Sequence, residues 1–144
     1  HILRNSIDHG IEDGRARIEA GKDMCGRIDI VGEWQEDQLR LTIQDDGRGV
    51  DVEALMTKAG SAPNITLDQK LSLMLSSGVS TARELSEISG RGIGMDAVKI
   101  EIERLGGHLL IEPKLSVEAS HNSRFVPFRL LLEFPRSLFR SESV

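Results

Sequence analysis

Apolar residues recur at helical spacing over the first eleven residues of the chain and predict an amphipathic helix. The apolar stripe of this helix consists of Ile2, Leu3, Ile7 and Ile11. Residues at positions i, i+4, i+7 and i+8 share one face of a helix. The polar residues with this spacing are His1, Asn5, Asp8 and His9. Gly10 follows them and is expected to end the helix.

Alternating apolar and polar positions predict strands further along the chain. Residues 27–31 and 38–44 both alternate, and a turn-forming pair at residues 36–37 separates them. We therefore expect these two strands to form an antiparallel hairpin. Two more strands are predicted over residues 108–112 and 125–134, with prolines marking their ends or an edge.

Helical patterns alternate with these strands. Helices are predicted over residues 52–60, from Thr66 or Asp68 through residue 75, and from residue 95 to the glycine pair that begins at residue 106. This order of elements predicts two layers, a mixed sheet with helices on one side. Residues 1–136 are expected to form one domain and residues 137–144 a tail. The chain begins inside a helical pattern, so we expect an N-terminally truncated fragment.

Composition narrows the function classes. The 144 residues carry a net charge of -5, and only 3% of them are aromatic. An acidic chain with few stacking rings argues against a nucleic-acid partner. The single cysteine, Cys25, provides no disulfide framework and fits a reducing compartment. No apolar run approaches membrane-spanning length, so we expect no direct membrane insertion.

The polar face of the first helix has two interpretations. Any one of its residues is by default a solvated surface residue. Together, two imidazoles, a carboxamide and a carboxylate also suit a metal–phosphate complex. The oxygen of Asn5 is a hard ligand suited to Mg²⁺, which also takes oxygen ligands from phosphates. Zinc is the weaker hypothesis, because it would need more soft ligands nearby.

Asp45 follows a predicted strand directly and precedes two glycines, Gly47 and Gly49. A carboxylate in this place can accept a hydrogen bond from an exocyclic amine, and the glycines let a flat ring lie against the backbone. The alternative is a tight turn with solvated acids, and for this stretch alone that alternative is favoured because Asp and Gly are the usual turn residues.

Three glycines at every second position, Gly90, Gly92 and Gly94, stand directly before the helical pattern of residues 95–105. Glycine lets a ligand approach the main chain, and a helix start offers unpaired N–H groups. Together they suit a phosphate group. A Rossmann-type turn has similar glycines, but no apolar strand leads directly into this loop. Arg91 lies inside the loop, where contact with phosphate and a solvated position are equally plausible.

The helix face, the Asp-Gly turn and the glycine loop lie far apart in sequence. If they converge, they offer a metal ligand, a base-recognising carboxylate and a phosphate cradle, and that combination implies a nucleotide. Their order also resembles the N, G1 and G2 boxes of chemotaxis-type (CheA-like) histidine kinases. The three matching segments are residues 1–12, residues 45–49 and residues 80–99.

This resemblance implies an α+β two-layer sandwich with a mixed, mostly antiparallel sheet: the Bergerat ATP-binding fold of the GHKL superfamily. It implies ATP and Mg²⁺ as cofactors. Asn5 would coordinate Mg²⁺, His1 and His9 would lie toward the phosphates, and Asp45 would take the adenine amino group. The remaining nucleotide-binding residues would be Asp8, Gly47, Gly49, Gly90, Arg91, Gly92 and Gly94.

The implied reaction is transfer of the γ-phosphoryl group to a histidine on a separate phosphotransfer domain, in two-component signalling. A response regulator would be a second partner, and a coupling protein and receptor would be reached through other domains. The implied location is cytoplasmic. Hydrolysing relatives place Glu four residues before the Mg²⁺-binding Asn, whereas this chain has His1 there. Transfer is therefore favoured over hydrolysis.

Two other functions stay open. A nucleotide-binding pseudokinase or regulatory scaffold is suggested by two departures from the family pattern. The lid segment lacks the usual phenylalanines, and residues 120–127 lack a Gly-Thr step. An ATP-hydrolysing clamp is the less favoured hypothesis because of His1.

Overall fold

An antiparallel sheet covered by helices on one face forms the main body of the protein. The computed structural model describes residues 1–60, 64–76, 94–114 and 123–139. The helices are α1 (Ile2–Asn5), which continues as a π-helical turn (Ser6–Gly10), α2 (Gly14–Glu19), α3 (Val52–Ala59), α4 (Leu67–Ser72), which continues as a 3-10 turn (Leu73–Leu75), and α5 (Met95–Arg104). The strands are β1 (Ile28–Trp34), β2 (Gln38–Asp45), β3 (Val50–Asp51), β4 (His108–Pro113), β5 (Phe125–Val126) and β6 (Phe128–Pro135).

The main sheet has the strand order β1-β2-β6-β4. All its pairings are antiparallel, with Ile30 opposite Ile43 in the β1–β2 hairpin and Ile43 opposite Leu130 in the next pair. The predicted hairpin is confirmed, and β1 extends to Trp34, three residues beyond the predicted end. The α+β class and the mostly antiparallel sheet are also confirmed.

The single strand predicted over residues 125–134 is wrong. Two strands, β5 and β6, occupy this segment, and Pro127 lies between them. Proline has no N–H to donate to a ladder, so pairing breaks at this residue. Strand β5 leaves the main sheet and pairs with β3 in a separate two-stranded sheet, where Val50 lies opposite Val126.

The predicted helices over residues 52–60 and 66–75 are confirmed, and both begin at a side-chain cap. Asp51 accepts a hydrogen bond from the backbone nitrogen of Ala54 at the start of α3. Thr66 and Gln69 form a reciprocal capping box at the start of α4. Gly60 ends α3 in the left-handed region, with φ of 60°. The side-chain caps at Asp51 and Thr66 satisfy backbone donors that a helix start leaves unpaired.

The core lies between the helices and one face of the main sheet. Leu55 of α3 and Leu71 of α4 are fully buried there. The other buried apolar residues of this cluster are Ile43, Val50, Val52, Ile102, Leu109, Ile111, Val126, Leu130 and Leu132. Helix α5 ends at residue 104, just before the predicted glycine pair, and contributes Ile102. Met95 and Val98 of the same helix pack against this cluster, whereas Leu105, which follows the helix, is 51% exposed.

The apolar stripe predicted for the first helix is only partly correct. Ile2 packs against the core, but Leu3 and Ile7 are 43% and 63% exposed. Ile2 and Asn5 lie three residues apart and therefore share a face. The helix contacts the body along this face, so that Leu3 and Ile7 point away from it.

The end of the described chain packs near the β1–β2 turn. Arg136–Phe139 forms a 3-10 turn. The ring of Phe139 meets the ring of Trp34 edge-on, with 5.3 Å between the centroids. Residues 140–144 lie outside the described residues, so the predicted domain boundary at residue 136 stays a prediction.

Candidate functional site

The first part of the site is the turn that follows β2. Asp45 is the last residue of this strand. Its carboxylate oxygen Oδ1 accepts a hydrogen bond from the backbone nitrogen of Gly47 at 3.0 Å. Its main-chain oxygen accepts a second hydrogen bond from Lys114 Nζ at 2.9 Å. A short Asp turn of this kind fixes the carboxylate relative to the glycine backbone.

The end of the first helix lies directly against this turn. A Cβ atom added to Gly47 would stand 2.0 Å from the main-chain oxygen of Gly10, and one added to Gly10 would stand 3.0 Å from Asp45 Oδ2. No side chain fits at Gly47 without a shift of the backbone. The structure therefore brings two segments predicted from sequence, the end of the N-terminal helix and the Asp-Gly turn, into contact.

Gly49 has a different structural reason to be glycine. Its φ is 86°, in the left-handed region that disfavours other residues. A Cβ atom there would also stand 2.2 Å from the backbone carbonyl of Val126. This glycine lets the turn pass close to β5.

Asn5 links the first helix to the segment after the glycine loop. Its amide nitrogen Nδ2 donates to Met95 Sδ at 3.6 Å. Gly94, the last glycine of the predicted loop, is the N-cap residue of α5, and its neighbour Met95 begins that helix. The two segments therefore meet at Asn5. The other predicted loop residues, Gly90, Arg91 and Gly92, lie outside the described residues.

The other polar residues of the predicted helix face are exposed. His1, Asp8 and His9 all have solvent-accessible side chains. Asp8 lies 3.7 Å from Arg4 Nε in a surface ion pair one helical turn away. The helix thus presents Asn5 toward the body of the protein and leaves both imidazoles on its open side.

These contacts can be compared with known proteins. The profile of the family described as Histidine kinase-, DNA gyrase B-, and HSP90-like ATPase matches residues 1–135. The chain belongs to this ATPase family. Within it, the chain is 40% identical to the chemotaxis protein CheA of Salmonella typhimurium over 119 residues, which cover 79% of this chain and 18% of that protein.

Two further relatives widen the comparison. The CheA of Treponema pallidum is 38% identical over 132 residues, covering 88% of this chain and 16% of that protein. The gliding motility regulatory protein of Myxococcus xanthus is 38% identical over 123 residues, which cover 80% of this chain and 16% of that protein. The chain therefore spans less than a fifth of the length of these curated relatives. The resemblance to CheA-like kinases is confirmed, and ATP is the ligand that the family supports.

A buried ionic network beside the Asp-Gly turn was not predicted from the sequence. The Arg17 side chain is 1% exposed and donates from Nη2 to Asp46 Oδ2 at 2.8 Å. Its Nη1 lies 3.4 Å from Glu12 Oε2, and Lys22 Nζ lies 2.8 Å from Glu12 Oε1. An arginine within a polar helical stretch is most often solvated. The acidic residues that precede and follow Arg17 in the sequence are the signal that could have indicated an ion pair.

The network lowers the pKa values of both of its acids. Burial by itself would raise the pKa of Glu12, but the hydrogen bond from Lys22 and the charges of Lys22 and Arg17 outweigh burial and lower it. Burial also opposes ionisation of Asp46, and the backbone N–H of Arg27 together with Arg17 lowers its pKa. Both groups are therefore held as carboxylates beside the site.

A second cluster of polar contacts joins Arg48, in the Asp-Gly turn, to residues at β3 and β5. The guanidinium of Arg48 lies 4.8 Å from the ring centroid of Phe125. Arg124, next to Phe125, forms an ion pair with Asp51 at 2.8 Å. The hydrogen bond from Arg124, followed by the one from the backbone of Ala54, lowers the pKa of Asp51. This cluster ties the two-stranded sheet to the cap of α3.

Asn5 offers one oxygen that could hold Mg²⁺. Because the Asn5 amide nitrogen faces Met95, the oxygen of the same planar group points the other way. Among the described residues, no group of three or more His, Cys, Asp and Glu is placed to hold a metal ion. One amide oxygen is nevertheless suitable for Mg²⁺, which keeps several waters and takes phosphate oxygens. The residues present therefore fit a metal held jointly with a nucleotide.

None of the helices in the described part of the chain has the length and apolar character needed to span a bilayer.

Proposed function

We propose that this domain binds Mg²⁺-ATP and donates the γ-phosphoryl group to a histidine on a separate phosphotransfer domain. The observation that carries the proposal is the contact of Gly10 with Asp45 and Gly47, at the end of the helix that also bears Asn5. The 5 residues Ser6–Gly10, which form a π-helical turn, connect Asn5 to this contact. A carboxylate suited to a base and an oxygen ligand suited to a metal therefore lie at the two ends of one short helical segment, as a bound nucleotide would require.

Asp45 is the proposed acceptor for the adenine amino group. An ionised carboxylate offers about four acceptor sites, and the hydrogen bond from Gly47 uses one of them. The remaining sites can receive an exocyclic N–H. Gly47 and Gly49 have no side chains, so a purine ring can lie against their backbone.

The phosphates are proposed to lie between the first helix and the start of α5. Asn5 would hold Mg²⁺ through Oδ1, and the glycines of the loop that ends at Gly94, together with Arg91, would contact phosphate oxygens. The bound metal would supply positive charge beside the phosphates. Asp8 and His9 are proposed to orient this complex from the open face of the helix.

His1 favours transfer over hydrolysis in this proposal. A neutral imidazole is a poorer base for water than a carboxylate aimed at it, and His1 stands where hydrolysing relatives have Glu. The His1 side chain is exposed, which leaves room for an incoming acceptor domain. The acceptor histidine would attack the γ-phosphorus, and the bond to the bridging oxygen of ADP would break.

The proposed partners are a histidine phosphotransfer domain and, after it, a response regulator. A coupling protein and receptor would act through other parts of a longer protein. We propose a cytoplasmic location for this system, since ATP and the response regulator of two-component signalling are found there.

The first test is calorimetric titration of ATP into the chain with and without Mg²⁺, followed by phosphotransfer to a histidine phosphotransfer domain already shown to accept phosphate. Binding and labelling of the acceptor histidine are expected. ATP binding without labelling would instead favour a regulatory scaffold. Steady-state hydrolysis that Asp45→Asn abolishes would favour the hydrolysing clamp, and no binding at millimolar ATP would contradict the proposal.

A further inference from the structure

Asp46, the residue between the proposed adenine acceptor and Gly47, has all of its polar atoms engaged. Its backbone nitrogen donates to Arg27 O at 3.1 Å, and its Oδ1 accepts from Arg27 N at 2.9 Å. Its Oδ2 accepts from Arg17 Nη2 at 2.8 Å. Its main-chain oxygen accepts from Lys22 Nζ at 2.9 Å and lies 3.4 Å from Arg17 Nη1. The position and orientation of this residue are therefore fully determined by its neighbours.

Arg17 is the centre of this arrangement. It lies on α2, which Asp13 caps through two backbone nitrogens. Its Nε donates to the main-chain oxygen of Asp23 at 2.7 Å, and Nη1 faces Glu12. Asp23 and Glu12 thus hold the guanidinium fork on two sides while it pairs with Asp46. Lysine could not reproduce this, because an ammonium lacks the rigid planar fork through which the guanidinium donates to several partners at once.

The orientation of Asp46 is transmitted to Asp45 through the main chain. The peptide groups on both sides of Asp46 determine where the N–H of Gly47 points, and that N–H donates to Asp45 Oδ1. Lys114 holds the main-chain oxygen of Asp45 from the other side. If Asp46 turned, the hydrogen bond to the Asp45 carboxylate would be lost, and the carboxylate would be free to rotate.

We propose that Arg17 is a positioning residue for adenine recognition: through Asp46 it fixes the carboxylate of Asp45 in the orientation that accepts the adenine amino group. Arg17 itself does not touch the nucleotide. The inference rests on the proposed function, because it takes Asp45 as the adenine acceptor. It adds a specificity determinant that lies outside the predicted site residues.

A positioning role and a merely structural role have different consequences. Loss of folded protein lowers the number of binding sites for every nucleotide by the same factor. A displaced carboxylate weakens the binding of ATP but not the binding of ITP. In ITP an oxygen replaces the amino group that Asp45 is proposed to recognise. The ratio of ITP to ATP dissociation constants therefore reports on the position of Asp45, independently of the folded fraction.

The test compares Arg17→Lys, Arg17→Met and Asp46→Asn with the unaltered chain by titration of Mg²⁺-ATP and Mg²⁺-ITP. Loss of a hydrogen bond to a charged group weakens binding by about ten- to a hundredfold. We expect the ATP dissociation constant to rise about tenfold in Arg17→Lys and Asp46→Asn and further in Arg17→Met, while that for ITP stays nearly constant. Circular dichroism of each variant gives the folded fraction.

Arg40→Met is the matched control. Arg40 forms an ion pair with Glu133 at 2.6 Å, and it lies five residues before Asp45 on β2, roughly 17 Å along the strand. Its loss is expected to leave the ITP/ATP ratio unchanged. The inference is overturned if Arg17→Lys and Asp46→Asn have the same ratio of ITP to ATP dissociation constants as the unaltered chain. Equal weakening of ATP binding and ITP binding would give this result. If Arg17→Met does not fold, these two variants decide the outcome.

The inference and the proposed function fail in distinguishable ways. If the unaltered chain does not bind ATP, or binds it without dependence on Asp45, the proposed function fails and the inference fails with it. If the unaltered chain binds ATP through Asp45 but the Arg17 and Asp46 variants discriminate as well as it does, only the inference fails.

Discussion

The two ends of the candidate site are built differently. At the Asp45 end, the turn is held by Lys114, by the packing of Gly47 on Gly10 and by the buried Arg17 network. At the Asn5 end, the polar contact is a hydrogen bond to a sulfur at 3.6 Å, and His1, Asp8 and His9 are exposed. Sulfur is a weak acceptor, so the second end is held much less firmly.

This difference indicates that the two ends of the site have different roles in nucleotide binding. A base is recognised by hydrogen bonds whose value depends on precise geometry, and a preorganised acceptor avoids the entropic cost of ordering on binding. Phosphates and a metal ion carry charge, and their attraction is less dependent on direction. We therefore expect the Asp45 end to determine which nucleotide binds and the Asn5 end to determine how its phosphates are used.

The largest effect is expected from Asp45→Asn. The variant removes the negative charge. Because the Gly47 N–H holds one oxygen at this position, the amide N–H₂ group replaces the other carboxylate oxygen, and the amino group of adenine meets a donor. A hydrogen bond to a charged group contributes up to about 3 kcal/mol, and we expect ATP to bind on the order of a hundredfold more weakly. Titration calorimetry measures the change.

Asp29→Asn is the control for this substitution. Asp29 lies on the neighbouring strand and forms a partly exposed ion pair with Arg27 at 3.2 Å. We expect its ATP affinity to match that of the unaltered chain. Equal affinities for Asp45→Asn and the unaltered chain would place the base elsewhere.

Gly47→Ala would break the contact between the helix end and the turn. The added Cβ would stand 2.0 Å from Gly10 O, so one of the two backbones must move. Overpacking of this kind costs about 1–3 kcal/mol, and we expect both the free energy of unfolding and the ATP affinity to fall. Gly32→Ala, whose Cβ would meet only the Leu41 side chain at 3.1 Å, is the control. A Gly47 variant as stable as the Gly32 variant would contradict this packing.

Asn5→Ala would test the less firmly held end. We expect the increase in ATP affinity that Mg²⁺ provides to fall by about tenfold, the lower range for loss of a group that supports a metal. Affinity for ATP in excess EDTA should stay unchanged because the Asp45 end is intact. An undiminished effect of Mg²⁺ would assign the metal to other residues.

The smallest effect concerns the pH dependence of stability. The pKa values of Glu12 and Asp46 are lowered from ordinary values of 4.5 and 3.8. A lowered pKa in the folded state stabilises the fold above the unfolded pKa, and this contribution is lost as the pH falls through the folded value. We expect the free energy of unfolding, measured by urea denaturation, to fall as the pH drops below about 4.

Asp46→Asn isolates one share of this pH dependence. The variant should be less stable than the unaltered chain at neutral pH, and the two should converge at low pH, where Asp46 is protonated in both states. A constant difference in stability across this pH range would show that the charge of Asp46 does not contribute.

Much of the fold could be predicted because local physics specifies it. Alternation identified the β1–β2 hairpin, and the caps at Thr66 and Gly60 marked helix ends through hydrogen bonds within a few residues. The split of the last predicted strand was missed, although Pro127 was recognised as a break. Its two halves pair with different partners, β3 and β2, and strand partners are not encoded in local periodicity.

The sequence by itself determined most of the elements, the fold class and the family, because helical and strand periods, turn residues and the spacing of the glycine-rich segments can be read from the order of residues along the chain. Only the tertiary structure decided that Gly10 packs on Gly47, that Asn5 rather than Leu3 faces the body, and that Arg17 is buried against Asp46. These contacts join residues up to ninety positions apart, and their geometry depends on how the layers pack, which no local pattern records.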